Sequence, residues 1–163
     1  MIKIIQAISR EHIDSVRKLF FEYAKSLNVS TCFENFDKEV ENLPRLYGPP
    51  KGRLLIALSD IKVAGCIALK KVDDQTCEMK RLFVRHEFRG QGVGKELTTA
   101  VWEEARGIGY KKMRLDTLPS MKEAIALYES LGFEPIPPYR ELPVPGALFM
   151  QVALDRNVHL KER

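Results

Sequence analysis

The stretch that most narrows what this chain can become is Arg89-Gly90-Gln91-Gly92-Val93-Gly94-Lys95. Before it, Cys77 to Val84 has strand character. After it, the apolar residues Val93, Leu97, Ala100, Val101 and Ala105 keep roughly to one side of a helix. A strand that turns through alternate glycines straight into a helix leaves several first-turn N–H groups without intrahelical acceptors. It also sets the positive end of the helix dipole beside them. Glycine lets the backbone come close to a guest at this corner, and the natural guest is an anion such as a phosphate or diphosphate.

Spacing excludes two phosphate-loop readings. A nucleotide P-loop needs Gly, four residues, then Gly-Lys-Ser/Thr. Here only three residues separate Gly90 from Gly94-Lys95, and Glu96 stands where the magnesium-binding hydroxyl belongs. A dinucleotide fingerprint needs G-x-G-x-x-G, whereas this chain has G-x-G-x-G in mid-chain.

The rest of the chain reads as alternating strands and helices. Ile2 to Ile8 has strand character, and Ser9 caps a helix that keeps its apolar spacing from Ile13 to Leu27. Asn28 to Glu34 reads as a loop, and Phe36 to Leu43 as a short second helix stopped by Pro44. Arg53–Leu58 and Val63–Val72 predict an antiparallel hairpin. Gly107-Ile108-Gly109 closes the helix that begins at Val93, and Met113 to Thr117 predicts a strand reached by a parallel crossover. Ser120-Met121-Lys122-Glu123 has capping-box spacing and opens a helix ending at Gly132. A strand begins at Phe133-Glu134. Five prolines between Pro135 and Pro145 then require an extended connection before a last strand, Ala147 to Leu154.

Composition sets outer limits. The 163 residues suit one domain with a real core. A net charge of +4, with no run of five basic residues, is compatible with an anionic ligand but too small to argue for nucleic acid. Cys32, Cys66 and Cys77 have neither a C-x-x-C spacing nor an even count, so neither a disulfide framework nor a zinc site is expected. His12, His86 and His159 show no metal-binding or catalytic spacing. The N-terminus reads as a strand and not as a signal peptide. No apolar run approaches the ~18 residues of a membrane span, so no membrane association and a cytoplasmic location are the expectations.

Arg89 to Gly94 matches R/Q-x-x-G-x-G/A, the pyrophosphate loop of the GNAT superfamily of N-acetyltransferases. Met79 to Val84 resembles that family's fourth strand. Ala124-Ile125-Ala126-Leu127-Tyr128-Glu129-Ser130-Leu131-Gly132-Phe133 resembles its A-x-x-L-Y-x-x-x-G-F helix and strand. The resemblance covers roughly Gly52 to Leu154. It implies a single-domain α/β (α+β) fold: a mixed, mostly antiparallel sheet of six to seven strands, about four flanking helices, and splayed strands four and five. Residues 1–154 would form the N-acetyltransferase domain and 155–163 a polar tail. It further implies acetyl-CoA as co-substrate, no metal, and direct ternary-complex transfer to a primary amine, either of a small molecule or of a protein. The alternative is a CoA-binding regulatory module without turnover. Dimers are common in the family, which admits a homodimer.

The same resemblance implies roles residue by residue. Arg89, Gly90, Gln91, Gly92, Val93, Gly94 and Lys95 would clamp the diphosphate. The backbone of a bulged strand at Leu82, Phe83 and Val84 would pair with the pantetheine arm. Tyr128 would protonate the departing sulfur; read from its helix alone, it is an inward tyrosine that needs a partner. Glu78, eleven residues before Arg89, stands where one branch of the family keeps its general base. Strand alternation puts it on one face with Lys80, Leu82 and Val84. Its plainer reading is a charge near a strand end, paired with Lys80 or Arg81. The family's cofactor-contacting Asn is replaced here by Met121, which leaves Thr117 or Ser120 to supply that contact. Glu34, Asp37, Glu39 and Glu41 offer either an acidic wall for a cationic amine or a solvated face.

Overall fold

The computed structural model describes residues 1–27, 36–141 and 145–155. The expected Asn28–Glu34 loop and nearly all of the polar tail lie outside the described residues. Seven strands make one sheet in the order β1-β2-β3-β4-β5-β7-β6. They are β1 (Ile2–Gln6), β2 (Arg53–Ser59), β3 (Lys62–Lys71), β4 (Thr76–Val84), β5 (Lys112–Thr117), β6 (Glu134–Pro135) and β7 (Leu148–Ala153). Every pairing is antiparallel except that of β4 with β5. This is the mixed, mostly antiparallel α/β architecture expected from the sequence.

Helices cover both faces, which is why β2 and β3 are aliphatic almost throughout and do not alternate. On one face lie α1 (Arg10–Leu27), α2 (Phe36–Glu41) and α3 (Leu43–Tyr47). Val16, Leu19, Phe20 and Leu43 pack there on Ile56, Cys66 and Phe83. On the other lie α4 (Val93–Ile108) and α5 (Lys122–Ser130), whose Leu97, Trp102 and Tyr128 pack with Cys77, Met79 and Met113. Ser9 caps α1, its Oγ accepting the His12 N–H at 3.1 Å. Gly109, at φ 111°, closes α4 in the left-handed region.

Two local expectations are corrected. Pro44 does not merely stop a helix; it occupies the first turn of a separate one, α3, where its missing N–H is no loss, so the described residues hold five α-helices. The Ser120/Glu123 capping box does not form. Met121 is the N-cap of α5 and makes no side-chain cap bond.

Two departures from regular sheet geometry shape the middle of the molecule. The β4–β5 ladder holds only at Thr76–Lys112, Cys77–Met113 and Glu78–Arg114, and beyond these pairs the strands diverge. On its other edge β4 carries a bulge. Ala68 pairs with Lys80 and Cys66 with Phe83, so one extra residue is inserted, and Arg81 takes φ 61° to accommodate it. The bulge reverses the expected alternation. Leu82 and Val84 pack with Cys77 and Met79 toward α4, while Phe83 turns to the α1 face. Glu78 therefore does not share a face with Leu82 and Val84.

Candidate active site

The turn after β4 is built as its glycines demand. Gly90 and Gly92 have φ of 77° and 82°, and a Cβ added at either would meet nothing. Arg89 N donates to His86 O at 3.2 Å, and Glu96 N to Gly92 O at 3.0 Å. Between them, the six amides from Gly90 to Lys95 have no acceptor among the described residues. Amides without acceptors at the start of a sixteen-residue helix add the partial positive charge of that terminus to the corner, with Glu96 the acidic residue of the first turn. The Arg89 side chain braces the corner: its Nε donates to Val84 O at 2.9 Å, and its guanidinium lies 5.9 Å from the Phe83 ring.

Four of these residues, Gly90, Gly92, Val93 and Gly94, border a cleft of about 640 Å³. Its floor is Leu82, Phe83 and Val84. One wall is the turn, with Arg89, Gly90, Gly92, Val93 and Gly94, and the other is α5 from Ser120 to Leu127; Tyr23 and Leu27 of α1 close the end. Gly94 lies between the walls, where an added Cβ would make ordinary contact at 3.8 Å with both the Val84 and Leu127 side chains. Gln91 and Lys95 are exposed and outside this lining, and Gln91 Nε2 donates to Glu87 O at 3.2 Å. Gly65 lets β3 approach the bulge closely, because a Cβ there would collide with the Phe83 carbonyl.

A narrower gap opens where β4 and β5 diverge, lined by Lys80, Arg81, Leu82, Asp116, Thr117 and Tyr128. Tyr128 is 4% exposed, and its hydroxyl has no hydrogen-bond partner among the described residues. Burial pushes its phenol well above the ordinary value of 10.0, so the proton stays on oxygen at any ordinary pH. Thr117 is buried here, and its hydroxyl donates to Met121 Sδ at 3.6 Å; Tyr23 Oη approaches the same sulfur at 3.9 Å. Met121 thus joins α1, β5 and α5 at the position where the family carries Asn.

Glu78 is partnered by neither Lys80 nor Arg81. Its side chain, 3% exposed, accepts from Tyr139 Oη at 2.9 Å and from Arg140 Nη2, both in the proline-rich segment. Arg140 also lies 3.4 Å from Asp116, whose carboxyl burial raises. Arg114 stacks 3.8 Å above the Tyr139 ring. Sequence reasoning missed this group; its one signal was Tyr139-Arg140, an aromatic–cationic pair set among prolines. Glu39 cannot serve an acidic wall, because Arg81 grips it with two hydrogen bonds of 2.8 Å. Burial alone would raise the Glu39 carboxyl, but the guanidinium outweighs it and holds the group below its ordinary 4.5. Asp37 and Glu41 are exposed, and Glu34 lies outside the described residues.

An open, splayed sheet brings an anion-ready helix start beside this cleft, the arrangement that the resemblance to N-acetyltransferases implies. The chain belongs to the acetyltransferase (GNAT) family, whose family model matches residues 14–133. An uncharacterized N-acetyltransferase of Schizosaccharomyces pombe is 35% identical over 148 residues, covering 90% of this chain and 91% of its own. Among solved structures, a GNAT-family acetyltransferase of Staphylococcus aureus Mu50 superposes with a TM-score of 0.81 at 21% identity, covering 95% of this chain and all of that one. A GNAT-family acetyltransferase of Elizabethkingia anophelis with acetyl-CoA bound gives 0.66 at 22% identity, covering 93% and 97%. At these identities the two structures speak to the fold. Among the described residues no helix is long and apolar enough to cross a membrane.

Proposed function

We propose that the chain transfers the acetyl group of acetyl-CoA directly to a primary amine within a ternary complex. The observation that carries this is the run of six amides, Gly90 to Lys95, that have no acceptor among the described residues and stand beside a cleft that reaches the bulged strand at Leu82–Val84. Such amides fit a diphosphate, and the cleft has the apolar floor that a pantetheine arm requires. When bound, acetyl-CoA supplies a thioester carbon open to attack by a neutral amine.

The chain's own groups divide the remaining work. The amides of Gly90, Gln91, Gly92, Val93, Gly94 and Lys95 hold the diphosphate, and Arg89 keeps the turn folded against Val84. The irregular backbone at Leu82, Phe83 and Val84 lines the arm and offers N–H groups toward the carbonyl oxygen. As the N–C bond forms and the C–S bond breaks, Tyr128 Oη gives its proton to the departing sulfur. Glu78, on the acceptor side of β4, takes the proton lost by the amine through intervening water. Thr117, through Met121, fixes the start of α5. Positioning supplies much of the rate, since the reaction needs only a neutral amine held against the thioester.

Initial rates of CoA-thiol release, measured with acetyl-CoA and an amine varied together, test this reading. Amine-dependent release with intersecting double-reciprocal lines is expected. Parallel lines would indicate an acetylated enzyme instead of direct transfer. Release that no amine accelerates would leave only CoA binding.

A further inference from the structure

We propose that the acceptor amine carries a carboxylate, which Lys80 binds at the gap between β4 and β5. The inference rests on the acetyl-transfer reading above and names the class of acceptor that reading leaves open.

Among the described residues, the charged side chains around the acceptor side of the gap do not balance. The carboxylates are Glu39, Glu78 and Asp116, and each is already committed: Glu39 to Arg81, Glu78 to Arg140 and Tyr139, Asp116 to Arg140. The cations are Lys80, Arg81, Arg114 and Arg140. Among the described residues neither Lys80 nor Arg114 has a carboxylate in salt-bridge contact. Arg114 lies on the Tyr139 ring, and its Nε is buried without a hydrogen-bond partner. Lys80 lines the gap itself, together with Leu82 and Tyr128.

A purely structural network would leave no cation over. Lys80 is half-buried and has no carboxylate in contact among the described residues; burial and the nearby Arg81 push its amine below its ordinary value, and the more distant Glu78 and Glu39 offset only part of that. A ligand carboxylate on Lys80 relieves that penalty with a charge-assisted bond. The surplus positive charge also selects against simple alkylammonium ions, which it repels, while admitting a zwitterion whose own anion offsets it. For the acceptor already bound, the same charge favours loss of the ammonium proton, the form that must attack. Lys80 lies two residues before Leu82 on β4, so a ligand anchored there stands on the acceptor side of Tyr128. α-Amino acids are the simplest compounds with amine and carboxylate close together.

The test uses the full chain at saturating acetyl-CoA, with CoA-thiol release as readout. Acceptors are supplied in pairs: free aspartate, leucine and phenylalanine, each against its α-carboxamide. Expected is a kcat/KM at least about tenfold higher for the free acids, the scale of one charge-assisted contact. Lys80→Met should collapse that ratio toward one, mainly through KM for the acceptor, and Lys80→Arg should keep it. Carboxamides used as well as the free acids by the unaltered chain would overturn the proposal, as would Lys80→Met slowing both members of each pair equally. If acetyl-CoA neither stabilises the chain nor releases thiol with any amine, acetyl transfer itself fails. Transfer confined to carboxylate-free amines refutes the carboxylate proposal alone.

Discussion

Replacing Tyr128 with Phe removes one oxygen and leaves the ring where it is, 5.7 Å from Phe133 within the α4–α5 core. Two consequences separate. For folding, the lost hydroxyl had no partner among the described residues and borders the β4–β5 gap, so its removal breaks no bond. The variant should therefore be about as stable as the parent, with Tm nearly unchanged. For catalysis, loss of a positioned general acid is worth about 10²–10⁴ in rate, or about 3–5 kcal/mol of barrier at 1.36 kcal/mol per decade. We expect kcat to fall about 100-fold or more. KM for acetyl-CoA should change little, because the amides from Gly90 to Lys95 hold its far end. The pH profile follows from the same group. Tyr128 must be protonated to act, and burial raises its phenol above 10.0, so the parent should show no alkaline decline up to pH 10. Thiol release measured from pH 6 to 10 on both proteins decides the matter. A variant within twofold of the parent, or one that has lost several degrees of Tm, refutes the assignment.

Three further outcomes are expected. Glu78→Gln removes the proton acceptor while keeping the side-chain shape, so kcat at neutral pH should drop about 100-fold; an unchanged kcat discards the role. Glu39→Ala leaves Arg81 buried without its carboxylate, both side chains having been under 15% exposed, and should cost about 3 kcal/mol, read as a fall of roughly 6–12 °C in Tm. Because the Glu39 carboxyl lies below its ordinary 4.5 in the folded state, its contribution is present above that pH and disappears as pH falls through the lower folded value. The parent's Tm advantage over Glu39→Ala should shrink in acid, and a constant gap from pH 7 to 3 would contradict the linkage. Gly92→Ala forces a Cβ onto a residue at φ 82°, a strain of about 1–2 kcal/mol that also re-aims the turn amides, so both Tm and acetyl-CoA affinity should fall.

What could be read from the chain, and what could not, follows the range of the forces involved. The turn at Gly90–Gly94 and the helix after it are local, since alternate glycines and a periodic apolar face need no distant partner to declare themselves. Tyr128 could be placed inward from Ala124 and Leu131 one turn to either side. The family resemblance implies a bulge here, but no local residue pattern declares it, because it puts a non-glycine residue, Arg81, in the left-handed region, where Glu39 of a separate helix pairs with its side chain. The face assigned to Leu82 and Val84 was therefore reversed. Ser120 and Glu123 spell a capping box, yet Met121 takes the cap position as its sulfur meets Tyr23 and Thr117. The pairing of Glu78 with Tyr139 and Arg140, some sixty residues away, has no short-range signature at all.

The central claim is that backbone amides between Gly90 and Lys95 hold a diphosphate. It is tested most directly by comparing acetyl-CoA with acetylpantetheine, which keeps the thioester arm and lacks the diphosphate, in a thermal-shift titration of the unaltered chain. A ligand that binds only the folded state raises the transition in proportion to RT ln(1 + [L]/Kd). Acetyl-CoA should stabilise the chain at micromolar concentrations, while acetylpantetheine should need at least about a hundredfold more, the weight of several charge-assisted bonds. Equal stabilisation by the two would show that those amides hold nothing.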